Sequence, residues 1–326
     1  MLILSQKQVE KIIPLKKIKD VVTAVEEGFF EYGMGRVQMP PKNYLDFKKY
    51  EGDLRIMPSF AQKLEMAGTK IVNVHPKNPK KGLKTVMAVI ILNDAKTGLP
   101  LAFMDGTYIT GMRTAAAAAV ATKYLAKKNA KTLGVIGAGY QSIFQIAAIT
   151  KVRKIKEIFV YDILESQIEK LAKILAKEKI KIKKASLEEA AKKDIVVTVT
   201  PARKPILKNK LVLPGTHINA MGADAPGKEE LDPKILKRAK IIIDDWHQAI
   251  CCGEVNVPLA KGIIQKKDIW ASLGEVITGK KPGRQNDKEI TVFDSTGLAV
   301  QDLFTANLVY KKAKKLGKEL KLFYNA

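Results

Sequence analysis

The segment that most restricts what this chain can fold into is an apolar strand, residues 132–137, that runs through Gly137-Ala138-Gly139-Tyr140-Gln141-Ser142 into a helical pattern. The first glycine permits a tight turn, and the second lets backbone approach a bound pyrophosphate. The helix N-terminus adds free N–H groups and the positive end of its dipole. Ser142 stands where a third glycine or alanine is usual and is nearly as small. The next strand, 157–162, ends in Asp162, 23 residues after Gly139. A carboxylate there can take both ribose hydroxyls, so the pattern predicts a dinucleotide site for NAD rather than NADP. Helix capping is the plain alternative for Asp162.

The alternation of strand and helix continues through patterns at 141–152, 164–179, 195–200, 217–222 and 240–245. That predicts a doubly wound parallel sheet. Ahead of it, 6–35 is amphipathic, with Val21, Val22, Val25, Phe29 and Phe30 at helical spacing and Gly33 and Gly35 at its end. Residues 42–105 carry short β-rich runs (70–74, 85–92, 99–104), the last two joined by a turn at 93–98, which suggests a mixed sheet. The Ala-rich stretch 113–128 predicts a strong helix bridging two domains. A long amphipathic helix, 298–315, stopped at Gly317 and followed by an alternating run at 320–324, is expected to return to the first domain. The expected fold is α/β: a central Rossmann-type doubly wound domain at 116–304, and a mixed α+β domain formed by 1–115 with 305–326.

The net charge of +24 suits a nucleic-acid binder as well as an enzyme of anionic metabolites. The basic residues, however, are scattered in pairs such as Lys16-Lys17, Lys127-Lys128 and Lys183-Lys184, and most are lysine rather than the arginine that reads base edges. Solvated faces are the expected reading, without nucleic acid. No stretch approaches the roughly 20 apolar residues of a membrane span, and none has a signal-peptide layout, so a cytoplasmic protein is expected. Cys251 and Cys252 are adjacent, and His75, His217 and His247 are dispersed without ligand spacing, so no metal is expected. No serine, histidine and acid arrangement suggests a hydrolase.

Three segments carry a resemblance: Ala67-Gly68-Thr69-Lys70-Ile71-Val72-Asn73-Val74-His75-Pro76-Lys77-Asn78, Gly111-Met112-Arg113-Thr114-Ala115 and Gly222-Ala223-Asp224-Ala225-Pro226-Gly227-Lys228. With Met39-Pro40-Pro41-Lys42 and Phe293-Asp294-Ser295-Thr296-Gly297, they resemble the hallmarks of the ornithine cyclodeaminase/mu-crystallin family nearly end to end. The resemblance implies a homodimer whose first domain carries substrate contacts and dimerisation, with chemistry in the cleft beside the nucleotide domain. It implies Lys70 as general acid/base, Asp224 as the group that assists proton transfer, and Arg113 as a contact to the substrate carboxylate or the cofactor. It also implies Lys42 as a candidate second carboxylate contact. The cofactor set it implies comprises Arg113, Thr114, Thr200, Met221, Gly222, Lys228 and Ser295 beside the glycine loop and Asp162. A buried lysine next to Arg113 would lose proton affinity through desolvation and like charge, which makes a usable base near neutrality.

One departure bears on the substrate. Ornithine cyclodeaminases have an acidic residue where this chain has Arg55, in Asp53-Leu54-Arg55-Ile56-Met57-Pro58. A glutamate can hold the distal ammonium of ornithine; an arginine repels it and narrows the pocket for a short side chain. The family's alanine dehydrogenases share the arginine, so the resemblance implies reversible, NAD-dependent oxidative deamination of L-alanine, with a small amino or keto acid as partner. Ornithine cyclodeamination, ketimine reduction and a non-catalytic nucleotide-binding role like that of mu-crystallin are the alternatives.

Overall fold

The computed structural model describes residues 1–316; Gly317 and the run 320–324 lie outside the described residues. The described residues form two compact units, one of Met1–Arg113 with 298–316, the other of Thr114–Gly297.

The first unit opens with β1 (Leu2–Leu4), α1 (Gln6–Ile12) and α2 (Ile18–Gly33). It continues as β2 (Val37–Gln38), β3 (Asn43–Phe47), β4 (Gly52–Ala61), β5 (Met66–Val74), β6 (Val86–Asp94) and β7 (Pro100–Asp105). These strands make one sheet in the order β1-β7-β6-β5-β4-β2, with β3 also on β4. It is antiparallel except where β1 joins β7 in parallel. The two-residue period of a strand sorts the side chains: on β6, Ala88, Ile90 and Leu92 are buried while Val89 and Ile91 on the opposite face stay partly exposed.

The chain leaves this sheet in α3 (Thr107–Leu125). The helix starts and ends earlier than the Ala-rich stretch 113–128 predicts. Asp105 Oδ2 accepts from Tyr108 N at 2.9 Å and so caps the start. Around its end, Arg153 donates to the carbonyls of Lys123, Ala126 and Lys127. Ala115–Ala119 and Ala121 are wholly buried, which explains why small residues run all round this helix rather than along one stripe.

The second unit alternates β8 (Thr132–Ile136), α4 (Tyr140–Val152), β9 (Glu157–Tyr161), α5 (Glu165–Ala176), β10 (Lys183–Lys184), α6 (Leu187–Ala191), β11 (Ile195–Thr198) and β12 (His217–Ala220). Then come α7 (Pro233–Arg238), β13 (Ala239–Ile243), α8 (Trp246–Cys252), α9 (Asn256–Ala260), β14 (Ile269–Ser272), α10 (Leu273–Ile277) and β15 (Ile290–Asp294). All eight strands are parallel, in the order β10-β9-β8-β11-β12-β15-β13-β14. The order reverses between β8 and β11, the switch point at which open α/β sheets bind ligands outside the carboxyl ends of their strands. His217, wholly buried on β12, lies between Thr291 Oγ1 (2.9 Å) and Asn219 Oδ1 (3.2 Å), and burial lowers its pKa to about 3. It is a neutral structural side chain.

The last helix, α11 (Ala299–Lys315), returns to the first unit, where it packs on α2 and across β4, β5 and β6. The crossing falls at Leu298 rather than near 305 because the first turn of α11 already belongs to the first sheet: Ser59 Oγ donates to Ala299 O at 3.2 Å. Further along, Phe304 lies 3.2 Å from where a Cβ on Gly28 would stand.

Candidate active site

In the first unit, the strand register sets Lys70 between Met57 and Ile90, on the face that α11 covers. Its side chain is 1% exposed, and its Nζ lies 2.7 Å from Asp302 Oδ2. The other oxygen of that carboxylate takes Arg113 Nε at 3.0 Å, and Arg113 Nη1 donates to Gln301 Oε1 at 3.0 Å. Two cations thus share one buried carboxylate. Burial is the largest cause that lowers the Lys70 pKa, followed by the Arg113 charge; Asp302 opposes both and Lys42 adds to the lowering, which leaves the ammonium at about 7. Arg113 stands in the second turn of α3 and not at a helix start, so its anionic partner inside the protein is Asp302.

Arg55, on the same face of β4, is 6% exposed and forms a two-point pair with Asp53, Nε to Oδ1 at 2.9 Å and Nη2 to Oδ2 at 3.0 Å. Its guanidinium also lies over Tyr44, 5.3 Å from the ring centroid.

In the second unit, Gly137 has φ +106°, and a Cβ on it would stand 2.8 Å from Val199 O. No other residue suits that turn. Gly139 is the N-cap of α4, and a Cβ there would meet nothing within 4 Å, so its backbone is open on that side. Tyr140 is exposed and packs edge-on against Phe144, Gln141 lies in the first turn, and Ser142 Oγ donates to Gly139 O at 2.6 Å. Asp162 accepts from Ala138 N at 2.7 Å and Leu164 N at 2.8 Å. It therefore fastens the glycine loop to the end of β9.

Apart from Thr114 in α3, the remaining candidates in this unit sit past the carboxyl ends of the strands. Met221 N donates to Thr198 O at 2.9 Å. Thr200 and Gly222 both bond to Glu230. Asp224 pairs with Lys228, Oδ1 to Nζ at 2.6 Å, so that lysine is engaged by the carboxylate. Thr114, partly buried in α3, is the first residue of this unit. Ser295 Oγ is 3.3 Å from Asp244 Oδ2. Asp294 ends β15, and α11 begins only at Ala299. Asp294 instead accepts from Glu254 N and Val255 N at 2.8 and 3.1 Å, and burial, with Asp244 beside it, raises its pKa to about 8. Asp245 caps α8, through Gln248 N at 2.9 Å.

Three polar residues in these arrangements were not singled out from the sequence: Asp302, Gln301 and Glu230. The only trace of the first two is that Gln301-Asp302 interrupts the apolar run 298–304, where a core-facing helix turn is otherwise apolar. Glu230 has no such signal. Among the described residues, no group of three or more His, Cys, Asp or Glu side chains can hold a metal ion. No described helix is long and apolar enough to cross a membrane.

The profile of the ornithine cyclodeaminase/mu-crystallin family matches residues 2–317. The chain is 50% identical to an alanine dehydrogenase of Archaeoglobus fulgidus over 324 residues, which covers 99% of this chain and 98% of that one. Among solved structures it is similar to an archaeal alanine dehydrogenase dimer with bound NAD (TM-score 0.94, 49% identity, 99% of each chain). It is also similar to the Thermococcus litoralis Δ1-pyrroline-2-carboxylate reductase in complex with NADH and L-proline (TM-score 0.95, 40% identity, 99% of this chain and 100% of that one).

Proposed function

The chain belongs to the ornithine cyclodeaminase/mu-crystallin family, and from that membership we propose that it is an NAD-dependent oxidoreductase of small amino and imino acids that interconverts L-alanine with pyruvate and ammonia. The observation that carries this reading is the buried Lys70, poised near neutrality between Arg113 and Asp302.

The residues of the second unit suit a dinucleotide. The Gly137 turn, the open backbone at Gly139 and the N-terminus of α4 would hold the pyrophosphate, and Asp162 the ribose. When bound, the nicotinamide supplies the acceptor for the hydride that leaves the substrate Cα. The protein handles the charges and protons. Arg113, with Lys42 and Arg55, offers cationic partners to the substrate carboxylate, and Gln301 Nε2 is a buried donor without an acceptor among the described residues, which such a carboxylate would satisfy. Neutral Lys70 takes the proton that the substrate ammonium must lose before Cα is oxidised. Asp224 draws a proton from the water that adds to the imine carbon, and the resulting carbinolamine breaks its C–N bond to release ammonia and pyruvate; Lys228 holds the Asp224 carboxylate in place.

The apolar outer face of the first sheet supports a homodimer as the working form. Ile56, Ile71 and Val89 are cross-strand neighbours on it, as are Pro58, Thr69, Ile91 and Phe103, and all are at least partly exposed within one chain.

A second reading, reduction of a cyclic ketimine such as Δ1-pyrroline-2-carboxylate, is favoured by the 40% identity to the Thermococcus reductase. It uses the same carboxylate contacts and the same lysine, now as acid. NADH formation from L-alanine and L-proline, NADH oxidation with Δ1-pyrroline-2-carboxylate, and product analysis with L-ornithine separate these. Steady NADH with alanine supports the proposal; activity confined to the ketimine and proline selects the second reading, and turnover of none of them returns the site to a binding role.

A further inference from the structure

Four buried acids tie together the carboxyl ends of β11, β12, β15 and β13. Glu230 is wholly buried, and its carboxylate takes four hydrogen bonds. Oε2 accepts from Thr198 Oγ1 (2.6 Å) and Gly222 N (2.9 Å); Oε1 accepts from Thr200 N (2.7 Å) and Thr200 Oγ1 (2.8 Å). It joins the loop after β11 to the loop that carries Asp224. The approach is so close that a Cβ on Gly222 would stand 2.3 Å from Thr200 O and 2.6 Å from Glu230 Oε2. Glu230 is held in turn: Glu254 accepts from Glu230 N and Leu231 N (2.9 and 2.6 Å), and Asp294 accepts from Glu254 N and Val255 N. Asp244, just past the end of β13, donates its N–H to Asp294 O (3.0 Å) and takes Thr296 N (2.6 Å) and Gly297 N (2.8 Å).

We propose that Glu230 is a positioning residue that clamps the Thr200 and Gly222 loops into the shape that binds the dinucleotide and aims Asp224, with Glu254, Asp294 and Asp244 as its supports. A carboxylate is required there because each oxygen receives one backbone N–H. A glutamine can turn either way, yet in both orientations its NH2 faces a backbone N–H that cannot rotate, so one loop is released. The acids are expensive to bury, and burial raises the proton affinity of Glu230, Glu254 and Asp294. A stable core alone does not call for them.

This inference rests on the dinucleotide reading of the second unit, and the test separates the two. Glu230→Gln is measured for NADH dissociation constant by fluorescence titration and for site-resolved amide exchange, beside Glu189→Gln, which alters only the exposed capping box of α6. Expected for Glu230→Gln are a rise of roughly ten- to a hundredfold in the NADH dissociation constant, and faster exchange of the Thr200 or Gly222 amide with the strand amides unchanged. Glu189→Gln is expected to change neither. An NADH affinity within twofold of the parent, or exchange that quickens uniformly across the unit, overturns the proposal. If Glu230→Gln does not fold, Thr198→Val removes one donor and keeps the strand, and it is expected to weaken NADH severalfold; unchanged affinity overturns the proposal equally. A parent protein that does not bind NADH refutes the cofactor reading, while the exchange at Thr200 and Gly222 still judges the clamp.

Discussion

Lys70 and Arg113, 43 residues apart in the chain, meet on the two oxygens of a single carboxylate, Asp302, at 2.7 and 3.0 Å. That carboxylate keeps the lysine partly protonated against burial and against Arg113, and so sets where its proton leaves.

Replacement of Lys70 by Met removes the acid/base group and nothing of the nucleotide loops. Turnover of L-alanine should fall by roughly 10²–10⁴-fold, with the NADH dissociation constant unchanged. Steady-state kinetics beside NADH titration reads both quantities, and a comparable loss in each would contradict the assigned role.

The acidic limb of the pH profile for alanine oxidation should lie near pH 7, with activity rising as Lys70 loses its proton. Asp302 raises that pKa and Arg113 lowers it. Asp302→Asn should therefore move the limb to lower pH, and Arg113→Met to higher pH. The same shift has a stability signature. The folded Lys70 binds its proton less tightly than the unfolded one, so its contribution to stability is complete above about 10.5 and is lost as pH falls through about 7. The stability difference between the parent and Lys70→Met should grow in the parent's favour from pH 7 to 10 in denaturant titrations.

Arg55→Glu should not by itself install ornithine chemistry. It would set a second carboxylate against Asp53 in a buried position, which costs about 3–5 kcal/mol. Combining it with Asp53→Asn should recover most of that loss in chemical unfolding, and only the double variant gives a fair test of ornithine turnover.

The two loop glycines should respond differently to alanine. Gly137→Ala forces a side chain into φ +106° and onto Val199 O, so both melting temperature and NADH binding should drop. Gly139→Ala meets no protein atom and has an ordinary backbone conformation, so its melting temperature should match the parent while NADH binding weakens. Equal NADH affinity in Gly139→Ala and the parent would remove Gly139 from the phosphate site.

Ile71→Asp, on the outer face of the first sheet, should convert a dimer to monomer in sedimentation velocity without disturbing the buried face that holds Lys70.

Local patterning was enough to read the parallel sheet. Strands 132–137 and 157–162 are apolar runs bounded by glycines or an acid, and the turn between β8 and α4 needs residue types that serve only that geometry. The Ala-rich stretch likewise announced a helix, although its start was set by Asp105, whose capping bond is invisible to composition. What local pattern cannot contain is the pairing of groups distant in the chain. Asp302 reads as a polar residue on an amphipathic helix until α11 is laid over β5, and Glu230 as a surface acid until two loops turn their N–H groups onto it. The low proton affinity of Lys70 and the need for a carboxylate at Glu230 both come from burial, which exists only once distant elements have packed and water has been removed.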